Sequence, residues 1–400
     1  MNFRRLLTSK RTGSALALAL LAVIVLFVMG GALLALGLNS RVYCIRTNSD
    51  IAARCTADAG LTKAITVLNQ QLETDALDDD YLPTAANQLL HGTGDLYSYS
   101  VTKNAQGNYV VEATGTSGLR QRTVSGVLRL KGPFEYAIFT KDTVTLNNNG
   151  SVKGYNFSEG NRGLKMGTTS TGEGKIELKN GSTIDGDVVV GVGGNPDFVI
   201  KDLGADITGS TYALKTAPEM DYASVPTWLS ESPSNGNITT STTITTSGKY
   251  GQIDVKNGDT VTIDGQVTLL ITDGIKLNNS AQLKIVSSNP NASLVIYLDG
   301  DFISQNGGSI NNETADPKRM QIYGLSGCTE MTFKNSTTLY AAVYSPNADI
   351  TFDNSADAYG SVAGKSFEQK NSAAFYYDAS LRNVDQDDEL VSFKISRWNE

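Results

Sequence analysis

The sequence predicts an α+β, mainly β protein with a long N-terminal transmembrane helix, a small antiparallel β-meander and a C-terminal parallel β-helix, or β-solenoid. Three observations predict it. No charged residue lies between Thr12 and Ser40, a helical stripe follows without a break, and beyond Phe134 a short unit keeps recurring. That unit is an alternating apolar strand, an Asn-Gly or Asn-Ser step, and a second short strand, as in "ITFDNSADAYG" from Ile350 and "MTFKNSTTLYA" from Met331.

The helix comes first. Ala15 to Leu38 is apolar throughout, broken only by Gly30, Gly31 and Gly37. A bilayer core asks for about 20 such residues, whereas a cleaved signal peptide has an apolar region of about 7–15 followed by a small-residue site. The run reads as a retained anchor. Arg4, Arg5, Lys10 and Arg11 precede it, against Arg41, Arg46 and Arg54 after it. The positive-inside rule favours a cytoplasmic N-terminus by one charge, and the Gly/Asn/Thr-rich β structure downstream, expected outside the cytoplasm, decides it. The expected location is the inner membrane, single-pass, with the bulk periplasmic or at the cell surface. No proline occurs before Pro83, and Ala53, Ala57, Leu61, Ala64, Leu68 and Leu72 recur at helical spacing. One helix from about Ser14 to about Leu72 is expected.

Four segments follow. Residues 1–75 are the transmembrane and amphipathic helix, and 76–132 a connector and three-stranded meander. The connector holds the acidic run Asp78–Asp80 and the one histidine, His91. The strands begin near Leu96, Asn108 and Leu119, joined by the Gly-containing turns "NAQGN" and "TGTSG". Residues 133–381 hold the repeats, and 382–400 an acidic segment and a closing strand that returns to cap or pair with the body.

Within 133–381 the steps fall at Gly150, Gly181, Gly258, Ser280, Gly307, Ser336, Ser355 and Ser372, with a weaker copy at Gly204. Asn and Gly tolerate positive φ, so the chain can turn sharply between short strands. Strands this short suit stacked coils better than a hairpin sandwich. Phe333, Leu339, Ile350, Phe352, Phe367 and Phe375 then point inward, each copy resting on the next. The gap between Gly204 and Gly258 holds Pro218, Pro226 and Pro233 and reads as an excursion from the stack.

Composition limits the chemistry. The formal charge is −8, the first 49 residues carry six Lys/Arg and no acid, and the remainder therefore carries −14. So acidic a body argues against nucleic-acid binding, which requires a basic surface. Cys44 and Cys55 are too far apart on one helix to bridge each other, at about 16 Å. Reduced thiols are the ordinary reading of the three cysteines, and pairing between chains the sharper one. No Ser/His/Asp set, Cys/His metal spacing or phosphate-cradling glycine loop appears. Asp185 with Asp187 and Asp299 with Asp301 are the candidate carboxylate pairs, but both sit in Asp-Gly-Asp turns, where Asp is a turn former. The expectation is no enzyme and no cofactor. Calcium is the one ion left open, through Asp-rich turns.

Two resemblances add to this reading. The head "KRTGSALALALLAVIVLFVMGGALLALG" with "SDIAARCTADAGLTKAITVLNQQL" resembles the N-terminal region of PilX-type type IV pilus assembly proteins. Their Ala-Glu-Ala-Gly-Leu signature is matched by Ala57, Asp58, Ala59, Gly60 and Leu61, with Asp for Glu. Counted from Gly13, the fifth residue is Leu18, where major pilins carry Glu. The late segment from Leu339 resembles the end of a β-solenoid domain often found behind such N-termini. It matches at Ala342 to Ala348 around Tyr344 and Pro346, at Gly360 to Gly364, and at Tyr376, Tyr377, Asp378 and Leu381. The resemblance implies a structural, non-enzymatic accessory or minor-pilin-like component of a type IV pilus or related filament. Its implied partners are the bilayer and pilin-like subunits or assembly machinery, met through small residues such as Gly30 and Gly31. A stand-alone surface adhesin or glycan-binding solenoid protein is the alternative.

Overall fold

The computed structural model describes residues 14–73, 77, 81–104, 108–156, 163–334, 338–353, 357–370, 372–382 and 392–399. The basic residues before Thr12, Gly13, Asp78–Asp80, Ser336, Ser355 and the acidic run 385–389 lie outside them. The chain is mainly β, with one long apolar N-terminal helix, an antiparallel sheet and parallel sheets. It divides into two compact units, Met1–Arg129 with Phe393–Glu400, and Leu130–Ser392.

In the first unit, α1 (Ser14–Glu73) runs unbroken for 60 residues, about 90 Å at 1.5 Å per residue. From Leu16 to Leu38 its side chains are exposed on every side. Further on, the predicted stripe is fully buried at Ala53, Ala57, Leu61, Ala64 and Leu68 and half-buried at Leu72. They lie on an antiparallel sheet of β1 (Thr84–Leu89), β2 (Leu96–Lys103), β3 (Tyr109–Ser117) and β4 (Arg120–Lys131). β2 and β3 alternate buried and exposed residues, placing Tyr99, Val101, Tyr109, Val111 and Ala113 in the core.

The sheet has five strands where the sequence suggests three. The C-terminal strand Ser392–Asn399 lies beside β4. Phe393 is buried edge-on against Tyr109 at 4.7 Å, and its N–H donates to Asn69 Oδ1 at 2.7 Å. β1 was invisible to pattern reading because it is exposed at five of its six positions and has no apolar alternation. Backbone pairing with β2 alone defines it, with a register shift between Ala85 and Gln88.

The second unit is built of short parallel strands in three runs. Along the first, Gly248–Tyr250, Gln266–Ile271, Ser293–Leu298 and Met320–Gly324 lead to Leu339–Phe352 and Ala358–Gln369. Along the second, the aligned side chains Ile253, Ile275, Phe302, Met331, Ile350 and Phe367 are all buried. Phe302, Phe333, Phe352 and Phe367 follow one another at 4.7, 5.0 and 5.3 Å between rings. The third run begins with Thr242–Ile244, Thr260–Ile263, Gln282–Ile285 and Ser309–Asn312. Corners are made by left-handed residues: Asn149, Asn257, Asn279 and Asn306 have φ between 50° and 59°. Three of these four precede Gly, and Asn279 Nδ2 donates to Asn257 Oδ1 at 3.4 Å.

Stacking does not follow chain order throughout. The last long strand, Ala358–Gln369, pairs with the earliest ones: Val362 with Ile138 and Phe367 with Val144. Ala374–Asp378 pairs with Ser151–Tyr155. From there the early strands stack onward, Ile176 on Val144 and Ile200 on Ile176. The unit is thus two blocks, residues 138–213 and 242–378, joined in the middle of the stack, where the chain both enters and leaves. Residues 214–241 connect the two outer ends. Met220, Ala223 and Leu229 of this connection cover the outward side chains of the first run, Phe139, Val189, Leu270, Tyr297, Tyr323 and Tyr344. The excursion read from the prolines is a strap.

The helix–sheet contact has no slack at Gly115. A Cβ there would stand 2.1 Å from the Ala53 carbonyl oxygen and 2.3 Å from the Ala57 nitrogen. Gly115→Val is expected to separate α1 from β3 and to cost at least as much as Leu61→Ala, about 2–5 kcal/mol. Limited proteolysis and thermal unfolding of the two variants measure it, and wild-type protease resistance in Gly115→Val would refute the contact.

Candidate functional site

Two sites carry the residues singled out in the sequence. The first is the α1 signature. Ala57 and Leu61 are buried on the sheet, and Gly60 leaves room for Tyr97, whose Cβ and Cδ2 would lie 3.2 Å from an added methyl. Asp58 and Ala59 are half-buried on the flank. Asp58 Oδ1 is shut off from solvent and accepts no hydrogen bond. The signature is therefore a docking surface on its buried side. Its partner, Gly115, gives no signal in the sequence, because a lone Gly in a strand reads as a bulge or a close approach without saying to what. Nearby, Arg122 makes a two-pronged ion pair with Asp50 at 2.8 and 2.7 Å. That hydrogen-bonded guanidinium holds the Asp50 carboxyl below the usual carboxylate range.

The second site is the mid-stack junction, where the late motif residues meet the start of the unit. Tyr377 is buried, and its hydroxyl lies 2.7 Å from the Phe134 carbonyl and 3.1 Å from that of Glu135. Arg382 donates through Nε to the same hydroxyl at 3.1 Å and stacks over the ring at 5.0 Å. Asp378 is buried and accepts from Asn156 Nδ2 at 3.1 Å and from the Ser380 N–H at 2.9 Å. Tyr344 lies on the covered outer face, donating to the Asp221 carbonyl of the strap at 2.8 Å. Pro346 falls in the register shift between Ser345 and Asp349, where the strand turns a corner. Gly360 has φ 147°, and a Cβ there would lie 1.8 Å from the Ala341 carbonyl oxygen. Gly364 faces Ile350, whose Cδ1 would lie 2.6 Å from an added methyl. Tyr377 and Asp378 thus tie late chain to early chain, Tyr344 ties late chain to the strap, and the two glycines let neighbouring late strands approach closely.

Three of the four candidate carboxylates, Asp187, Asp299 and Asp301, accept from backbone N–H groups. Asp301 Oδ1 accepts from the Thr329 and Glu330 N–H groups at 3.0 and 2.9 Å, and Asp299 Oδ1 from Gly327 at 2.9 Å. Asp187 Oδ1 accepts from Ser210 at 2.9 Å. These three carboxylates each close the corner of the next rung. Among the described residues, no group of three or more His, Cys, Asp or Glu is placed to hold a metal ion. His91 sits in an exposed turn. Cys44 and Cys55 are exposed and Cys328 is buried, all as free thiols.

Residues 203–384, less than half of the chain, match a family described as "Domain of unknown function (DUF7305)". This stretch holds the last strands of the earlier block, the strap, the later block and the junction motif, and leaves the earlier block outside up to residue 202. No curated protein matches the chain. Among solved structures, the competence-associated pilin ComZ from Thermus thermophilus aligns over 88% of this chain and 97% of its own, at 12% identity and a TM-score of 0.22. At that score the likeness carries no argument about fold or function.

Burial raises the hydroxyl pKa of Tyr377 and of Tyr344 well above the ordinary range, and that of Tyr136 to about 12. Each binds its proton more tightly folded than unfolded. Their contribution is complete below the unfolded value near 10 and is lost as pH rises from there toward the folded values. The second unit is expected to lose stability steeply above about pH 10. Tyr377→Phe should lower stability at neutral pH by about 1–3 kcal/mol, through the lost bonds at the junction, and flatten part of the alkaline fall. Urea unfolding at pH 7 and pH 11 reads both, and an unchanged alkaline limb in the variant would count against the assignment.

Proposed function

We propose that this protein is a structural, membrane-anchored accessory or minor-pilin-like component of a type IV pilus or a related filament system, without enzymatic activity. One observation carries the reading. A single uninterrupted helix has a bilayer-length apolar half exposed all round and a second half seated by one face on an antiparallel sheet. An exposed apolar segment of that length is costly in water and stable in lipid. The PilX-like signature lies on the seated half, which supports the same reading. In this proposal the N-terminus is cytoplasmic, the helix crosses the inner membrane, and both compact units stand outside the cytoplasm.

We further read the three parallel runs as the walls of a β-solenoid. The corner asparagines, the inward aromatic file and the rung-to-rung register support it. The solenoid would display a surface that faces partners, substrate or neighbouring cells. The alternative reading, a stand-alone adhesin or glycan-binding protein, draws on half-exposed Tyr340, Tyr359 and Tyr376, which stack along one outer face at 4.9 and 4.6 Å.

Fractionation and co-purification separate these readings. The native protein is expected to remain with membranes through alkaline carbonate extraction and to be recovered after mild detergent with pilin-like subunits. Membrane retention with recovery only on cell-wall glycan would favour the adhesin, and release by carbonate would overturn the anchor.

A further inference from the structure

The geometry points to the pairing of two copies of this chain, in parallel, along the α1 face that carries Gly30, Gly37, Cys44, Ile51 and Cys55. The inference rests on the membrane-anchor reading and adds the partner and the face.

Cys44 and Cys55 are both exposed. Eleven residues at 3.6 per turn bring the helix back to within about 20° of the same direction. Both thiols therefore lie along one line of the helix, about 140° (Cys44) and 160° (Cys55) from Ala57 on the sheet-covered side. Between them stand Asn48 and Ile51, the latter 56% exposed. Ile51 lies about 20 Å beyond Leu38, where the bilayer-length run ends. Neither the sheet nor a hydrocarbon core covers it. Toward the N-terminus the same face continues as a shallow apolar groove lined by Val23, Phe27, Gly30 and Leu34. Methyl groups added at Gly30, Gly31 or Gly37 would meet no atom within 4 Å.

A second copy is the occupant these features favour. The anchor inserts every copy in the same direction, so two α1 helices meet in parallel. In parallel register each thiol faces its own counterpart, at both levels at once, and an unrelated helix has no reason to match that phase. From Val23 to Cys55 the face extends about 48 Å, more than the three to four heptads that sustain a paired helix. Asn48 falls on the seam, where an asparagine facing its counterpart fixes a parallel register. Helices in lipid approach closely only through small residues, and a disulfide needs Cα atoms about 4.4–6.8 Å apart. The glycines supply that approach. Arg41 stands on the same face between Gly37 and Cys44, one heptad before Asn48, and its stem is long enough to carry its charge outward at the membrane edge.

Thiol trapping in full-length protein, in phosphatidylethanolamine/phosphatidylglycerol vesicles at high lipid excess, tests the pairing. Oxidised glutathione is the trap: two cysteine thiols form one S–S bond and give two electrons and two protons to the glutathione disulfide, which leaves as two thiols. Cys44→Ser and Cys55→Ser each retain one exposed thiol, and both are expected to give a species of twice the chain mass on non-reducing gels. The double serine variant should give none. Arg46→Cys in that background, about 180° from Cys55, should give little. Gly30→Leu with Gly37→Leu should cut the Cys44 dimer roughly tenfold. Equal trapping at position 46, or no dimer from protein that resists carbonate extraction, overturns the pairing alone. The same assay in native membranes should also give twice the chain mass, and a cross-link there only to a chain of different mass overturns it. Release of the protein by carbonate overturns the anchor reading and the pairing with it.

Discussion

The parallel pairing of Ala358–Gln369 with Ile138–Thr140 and Val144–Leu146 is the constraint on which the second unit depends. Without it the unit would be two separate stacks, each with one more open edge. An open edge leaves a row of N–H and C=O groups without partners and half-buries the apolar side chains beneath them. The outermost rung of the early block shows the effect, since Ile200, Ala205, Ile207 and Ala213 are only partly buried. At the junction the corresponding residues, Ile138, Val144, Val362 and Phe367, are fully buried or nearly so. Mid-stack closure thus removes two edges at once, and Tyr377, Asp378 and Arg382 fasten it with side-chain bonds to residues more than two hundred positions earlier.

A stack built in chain order would begin at one end and finish at the other. Here the earliest and latest strands of the second unit pair at one level. The strap follows from the same arrangement. Once the early block has grown away from the junction, the chain must travel back past it to begin the later block. It runs along the outer face of the first run, whose tyrosines it shields.

The two halves of α1 follow different hydrophobic patterns. From Leu16 to Leu38 the helix is apolar and exposed on all sides, long and apolar enough to cross a membrane. From Ala53 on, only a stripe is apolar, as a helix on one sheet requires. Between them, Val42, Tyr43, Ile45 and Ile51 are exposed apolar residues that fit neither pattern. Of these only Ile51 stands in line with the two thiols, within about 40° of each, and it gives the pairing inference its footing.

Much was legible in the residues themselves. The span of α1 and its buried stripe follow from hydrophobic period. β2, β3 and β4 follow from alternation, and the corner asparagines from the conformations that Asn and Gly tolerate. These are local properties, written within a few residues of where they act. Other features were decided only by tertiary structure. β1 has no apolar face and exists because β2 offers it backbone partners. Gly115 matters because a helix backbone lies against it. The order of the rungs cannot be read from repeats, since every copy carries a similar apolar pattern and could stack on any other. Which copies meet is set by which edges remain open and by where the chain must enter and leave.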